Sequence, residues 1–122
     1  MSTLQITKET FNDTINTNDI VLVDWWAEWC GPCRSFAPVF EEASGKHPDI
    51  VFGKIDTEAQ PELSAMARIT SIPTIMAFRE GILIFSQAGA LPASSLEELI
   101  GKVRELDMEQ VHAALAAEEQ PG

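Results

Sequence analysis

Hydrophobic positions along the chain fall into short continuous runs separated by stretches of helical spacing. Leu4 to Ile6 reads as a short strand, and Thr7 can cap a helix to about Thr17 that turns Phe11 and Ile15 inward. From Ile20 to Trp26 the apolar run is broken by Asp24 alone, which predicts a strand buried on both faces and therefore central in its sheet. A helix follows from Cys33 to about Gly45, with Phe36, Ala37, Phe40 and Ala43 at helical spacing, Pro38 as a kink and Gly45 as a stop. Ile50 to Ile55 gives another strand, Pro61 to Ala67 a short helix, and Pro73 opens a strand from Thr74 to Phe78. A tight turn at Glu80-Gly81 returns the chain antiparallel through Leu83 to Gln87. Ser94 or Ser95 then caps a helix whose Leu96, Leu99, Ile100, Val103 and Leu106 form an inward stripe.

The predicted order, β-α-β-α-β-α-β-β-α, builds an α/β fold: a mixed central sheet covered by helices on both faces, three layers in all. Residues 1–106 make one domain without linker or repeat. Met108, Val111 and Leu115 extend the helical spacing, so 107–122 is read as an extra C-terminal helix to about Ala117 with a frayed tail from Glu118 to Gly122.

Composition narrows the function classes. A chain of 122 residues that is 45% hydrophobic suits a single core. No run approaches the roughly 18 to 20 apolar residues of a membrane-spanning helix, and Met1 to Asn18 lacks the order of a secretory signal. The formal net charge of -11, with Lys and Arg scattered singly, argues against nucleic acid and anionic membranes as partners. Two cysteines three residues apart cannot staple a fold, so a redox or metal role in the cytoplasm is expected.

The sharpest chemical signal is Trp29-Cys30-Gly31-Pro32-Cys33, at the junction of the buried strand and the helix. Cysteines so spaced at a helix start lie on one face and within bridging reach. At the helix N-terminus, free N–H groups and the dipole would stabilise a Cys30 thiolate. Cys33, one turn further in, is expected to be the more buried and to remain a thiol. Pro32 restricts the loop and presets the pair. By itself Cys-x-x-Cys reads equally as half a zinc site. The chain has no second cysteine pair and only the isolated His47 and His112, so no metal is expected.

The segment Asp24-Trp25-Trp26-Ala27-Glu28-Trp29-Cys30-Gly31-Pro32-Cys33 resembles the active-site stretch of the thioredoxin family, and the likeness extends over about residues 4–106, including Pro38, Lys54, Ile72-Pro73-Thr74, Gly81 and Gly89-Ala90-Leu91. This resemblance implies the thioredoxin fold and a protein disulfide reductase that maintains cell redox homeostasis. Cys30 would be its nucleophile and Cys33 its resolving thiol. It places the acid Asp24 beneath Cys33, where a proton-transfer role follows, and Lys54 near that acid. An acid inside an apolar strand should have a raised pKa in any case.

From composition Pro73 merely starts a strand; the resemblance makes it a cis proline facing the cysteines, with Ile72 free to pair with an extended substrate. Trp29, Gly31, Pro32, Gly89 and Ala90 would complete a small apolar substrate groove. Trp25 stands where the family usually has phenylalanine, and Glu58 where many members have aspartate, which puts a hydrogen bond to Trp26 in doubt.

No dinucleotide fingerprint or phosphate loop occurs, so no bound cofactor is expected beyond a redox-active Cys30–Cys33 disulfide. The expected partners are disulfide-bearing proteins and a thioredoxin reductase that supplies electrons, and a monomer is expected. A thiol oxidase or isomerase of the same fold, and a non-catalytic thioredoxin-like binding module, are the alternatives.

Overall fold

The computed structural model describes residues 2–119. Its first strand, β1 (Thr3–Gln5), leads into a turn at residues 8–10 and then α1 (Phe11–Thr17). Thr7 does not begin this helix: its carbonyl accepts from Thr10 and Phe11, and Thr10 occupies the cap position. The apolar run becomes β2 (Ile20–Trp26), as expected. Next come α2 (Gly31–Lys46), β3 (Val51–Asp56), α3 (Pro61–Met66), β4 (Thr74–Arg79), β5 (Ile82–Ala88), α4 (Ala93–Glu105) and α5 (Met108–Glu119).

The boundaries differ from expectation where side chains alone did not define them. α2 starts at Gly31 rather than Cys33, with Cys30 as its cap, and runs on through Pro38 and Gly45 to Lys46. Pro92, not Ser94 or Ser95, stands at the start of α4. α5 includes Glu118 and Glu119, whereas the remainder of the expected frayed tail, 120–122, lies outside the described residues.

The five-stranded sheet has the order β1-β3-β2-β4-β5, with β2 at its centre, parallel to β3 and antiparallel to β4. Strand alternation divides the core in two. Ile20 and Leu22 of β2 face α2 and α4, packing with Phe36, Phe40, Phe52, Leu96 and Ile100. Val21, Val23 and Trp25 face the opposite layer, with Ile15 of α1 and Leu63 of α3. This is the three-layer arrangement expected, and it puts Asp24 on the α2 side by the same alternation.

Two devices close the fold. Glu80 and Gly81 both have left-handed backbone (φ 53° and 80°), matching a tight hairpin turn, and a Cβ at Gly81 would meet Asn16 Oδ1 at 2.7 Å. Arg79 Nη1 donates to the carbonyls of Val103 (2.8 Å), Arg104 (3.3 Å) and Leu106 (3.4 Å), satisfying the end of α4. α5 then packs on its own domain through buried Met108 and half-buried Val111 and Leu115, with His112 Nε2 2.8 Å from Glu80 Oε1. The other histidine joins α2 to α4: His47 Nδ1 accepts from Arg104 Nη2 (3.0 Å), leaving Nε2 to donate to Glu97 (2.8 Å).

Candidate active site

β2 ends at Trp26, and the next four residues turn the chain into α2, whose first turn carries the cysteine pair. Cys30 has extended backbone (φ -87°, ψ 113°) and sits at the helix cap, a position usually filled by a small oxygen side chain. Here the sulfur takes that part: the Cys33 N–H donates to Cys30 Sγ at 3.2 Å. The two residues are joined as a disulfide with Cα atoms 5.2 Å apart. Their exposures are 4% for Cys30 and 3% for Cys33, so the expected difference in burial is absent. Cys30 is covered by a distant segment, the Ile72 carbonyl oxygen lying 3.6 Å from its Sγ.

That segment is shaped by Pro73. The Ile72–Pro73 peptide is cis, as the resemblance implies, and Pro73 is buried while Ile72 is half-buried. Thr74 Oγ1 donates to Ser71 O (2.6 Å) and Gly89 N–H to Pro73 O (2.7 Å), bracing the bend from both sides. Gly31, Pro32, Gly89 and Ala90 are exposed. Trp29 is 67% exposed beside a depression of about 400 Å3. Its other walls are Thr57, Ser64, Ile69, Thr70, Ser71 and Ile72; apart from Ile72 none was singled out by sequence, since most are small hydroxyl residues that belong to no apolar periodic pattern.

Asp24 is fully buried in mid-strand, and neither carboxylate oxygen has a hydrogen-bond partner. Burial pushes its pKa up to about 7, with Lys54 pulling weakly the other way. Lys54 is its register neighbour on β3, and its ammonium lies 4.9 Å from the centroid of the Trp26 ring. Trp26 Nε1 is buried without a partner, so Glu58 supplies no hydrogen bond there. Trp25 is core, as read from the strand pattern, with its own Nε1 unpartnered. Among the described residues no group of His, Cys, Asp and Glu could hold a metal ion, and no helix is long and apolar enough to cross a membrane.

A family profile named Thioredoxin matches residues 2–102. The chain belongs to the thioredoxin family. It is 52% identical to the putative thioredoxin 2 of Streptomyces coelicolor, covering 97% of this chain and 88% of that relative. With the thioredoxin of Porphyra purpurea the identity is 40%, over 84% of this chain and 97% of the other. Among solved structures, Plasmodium falciparum thioredoxin superposes with a TM-score of 0.75 at 37% identity, over 80% of this chain and 96% of that one. A mutant thioredoxin from Halobacterium salinarum gives 0.80 at 29% identity, over 86% and 93%. The thioredoxin fold, the family and the bridged Cys-x-x-Cys pair together make this protein a dithiol–disulfide reductase, a thiol–disulfide oxidoreductase by reaction class.

Proposed function

We propose that the protein reduces disulfides in other proteins with Cys30 as the attacking sulfur and Cys33 as the resolving one. The observation that carries this division is the N–H of Cys33 donating to Cys30 Sγ from the first turn of a 16-residue helix. That amide and the helix dipole favour negative charge on Cys30, lowering its pKa, whereas Cys33 lies inside the helix with no such donor.

In the forward reaction the Cys30 thiolate attacks one sulfur of the substrate disulfide. A mixed disulfide forms and the other substrate sulfur leaves as a thiolate that takes up a proton. Cys33 then loses its proton and attacks Cys30 Sγ, releasing the second substrate thiol and forming Cys30–Cys33. Two electrons have moved from the enzyme dithiol to the substrate.

Asp24 accepts the Cys33 proton, a role supported by its place on the α2 side of the sheet and its pKa of about 7, which lets it exchange a proton at neutral pH. Lys54 tunes that carboxyl as a positioning residue. Substrate lies against Trp29, Gly31, Pro32, Ile72, Pro73, Gly89 and Ala90, with the exposed indole and the bent 71–74 segment as its guides. The oxidised protein is returned to the dithiol by a thioredoxin reductase. The chain needs no bound cofactor of its own and works as a monomer in the cytoplasm.

The decisive experiment uses two variants and a protein disulfide substrate. Cys30→Ser is expected to abolish turnover, and Cys33→Ser to retain attack while accumulating covalent adducts visible by mass spectrometry. Adducts on Cys33 in the Cys30→Ser protein, at the rate seen on Cys30 in the other variant, would reverse the assignment.

A further inference from the structure

A second apolar surface lies on the layer opposite to α2. Between α1, α3 and the β4–β5 hairpin runs a groove of about 460 Å3 whose walls include Phe11, Leu63, Met66, Met76 and Leu83, with Lys8 and Arg68 beside them. Among the described residues the large apolar side chains left exposed are Leu4, Trp29, Met66 and Leu83. Two of the four meet here, Met66 at 74% exposure and Leu83 at 48%. Single exposed apolar residues are ordinary, but convergence on one concavity marks a contact surface, and methionine adapts to varied shapes.

Charge identifies the occupant. The chain carries a net charge of -11, yet the charged groups lining this groove are both cations. Lys8 is engaged by Glu62. Arg68 is exposed and has no ion-pair partner among the described residues. Its backbone is held in place, since α3 ends in a paired cap: Arg68 N–H donates to Ala65 O (3.1 Å) and Ile69 N–H to Ser64 O (3.0 Å). A comparable groove between β5 and α4 lacks this feature, because its Glu98 and Lys102 face one another at 3.5 Å.

We infer that the α1–α3 groove docks an apolar segment of a partner protein bearing a carboxylate, with Arg68 pairing the carboxylate and Met66, Leu83 and Phe11 receiving the apolar side chains. The inference deepens the reductase reading, on which its relation to catalysis rests. From Arg68 the chain runs directly through Ile69 to Ile72, which wall the depression at Trp29 and cover Cys30. A bound protein therefore has only the short 69–72 segment between the anchoring groove and the disulfide.

The test titrates the isotope-labelled, oxidised full chain with two cysteine-free twelve-residue peptides and follows its amide resonances. The peptides share a Leu-, Met- and Phe-rich sequence and differ only in carrying two Glu or two Lys. The acidic peptide is expected to shift Phe11, Leu63, Met66 and Leu83, and to bind about three- to fivefold tighter than the Lys peptide. Arg68→Glu should reverse that preference, and Leu83→Ser should weaken both peptides, with resonances elsewhere and reduction of a small aromatic disulfide unchanged.

Equal binding of the two peptides, shifts confined to the α4–β5 groove, or no shifts at millimolar peptide would overturn the proposal. So would groove shifts that grow with protein concentration alone, which would make a second copy the occupant. Because the peptides contain no cysteine, a failure here leaves the redox assignment standing, and a failed redox assignment leaves this result readable.

Discussion

Asp24 and Lys54 are register partners on the central strands β2 and β3, yet the carboxylate of Asp24 accepts no hydrogen bond from the lysine or from any other group. The ammonium acts on it only through space, and the loss of hydration outweighs that attraction, so the acid titrates near 7 instead of near 4. Replacing the lysine removes the one charge that favours the ionised form. In Lys54→Met the pH dependence of the resolving step should move to higher pH, while the attack step keeps its profile. Single-turnover mixing with a disulfide substrate across pH 5 to 9 reads both steps, and coincident profiles for the two proteins would remove Lys54 from the mechanism.

The same acid makes stability depend on pH. A carboxyl with a pKa raised on folding holds its proton more tightly in the native state, so its contribution is fully present below about pH 4. It is then lost as pH rises to about 7. Asp24→Asn cannot lose that proton. Its stability relative to the parent should therefore grow between pH 4 and 7 and level off above, by about 4 kcal/mol. Urea unfolding at pH 4, 6 and 8 measures the change, and parallel curves would show that the folded protein does not hold this proton.

Arg68 has φ of 57°, a left-handed backbone that costs a residue with a Cβ roughly 1 kcal/mol. Gly at this position adopts the same cap without that penalty. Arg68→Gly is expected to stabilise the protein by about 0.5–1 kcal/mol in chemical denaturation, with activity toward a small disulfide unchanged. A destabilised variant would mean that the guanidinium makes a contact worth more than the backbone relief.

Arg79 holds the carbonyl end of α4 from the end of β4 and lies 3.3 Å from Asp19. Its removal as Arg79→Met keeps the side-chain bulk but strips the donors from Val103, Arg104 and Leu106. A loss of about 1–2 kcal/mol is expected. Hydrogen exchange should report the damage first in the last turn of α4 and in α5, and uniform loosening of the whole domain would contradict the local role.

Much of the architecture was legible in apolar spacing. Ile20 to Trp26 became β2 without adjustment, because a strand covered on both faces needs nearly continuous apolar residues. The inward stripes of α2 and α4 were equally plain. The helix starts were less so. At Thr7 a turn intervenes and Thr10 becomes the cap, and at α2 the cap is a sulfur, which ordinary capping preferences do not mark.

The linear order of residues determined that a reactive cysteine pair stands at a helix start, that one acid interrupts a buried strand and that the whole suits one small domain. Only the tertiary structure decided how those groups feel one another. Cys30 is as buried as Cys33 because a segment some forty residues away folds over it, and the carboxylate near the centre of the sheet is left without a donor because its neighbouring lysine turns to an indole ring. Solvation and electric field depend on what surrounds an atom, and those surroundings come from parts of the chain that local pattern cannot bring together.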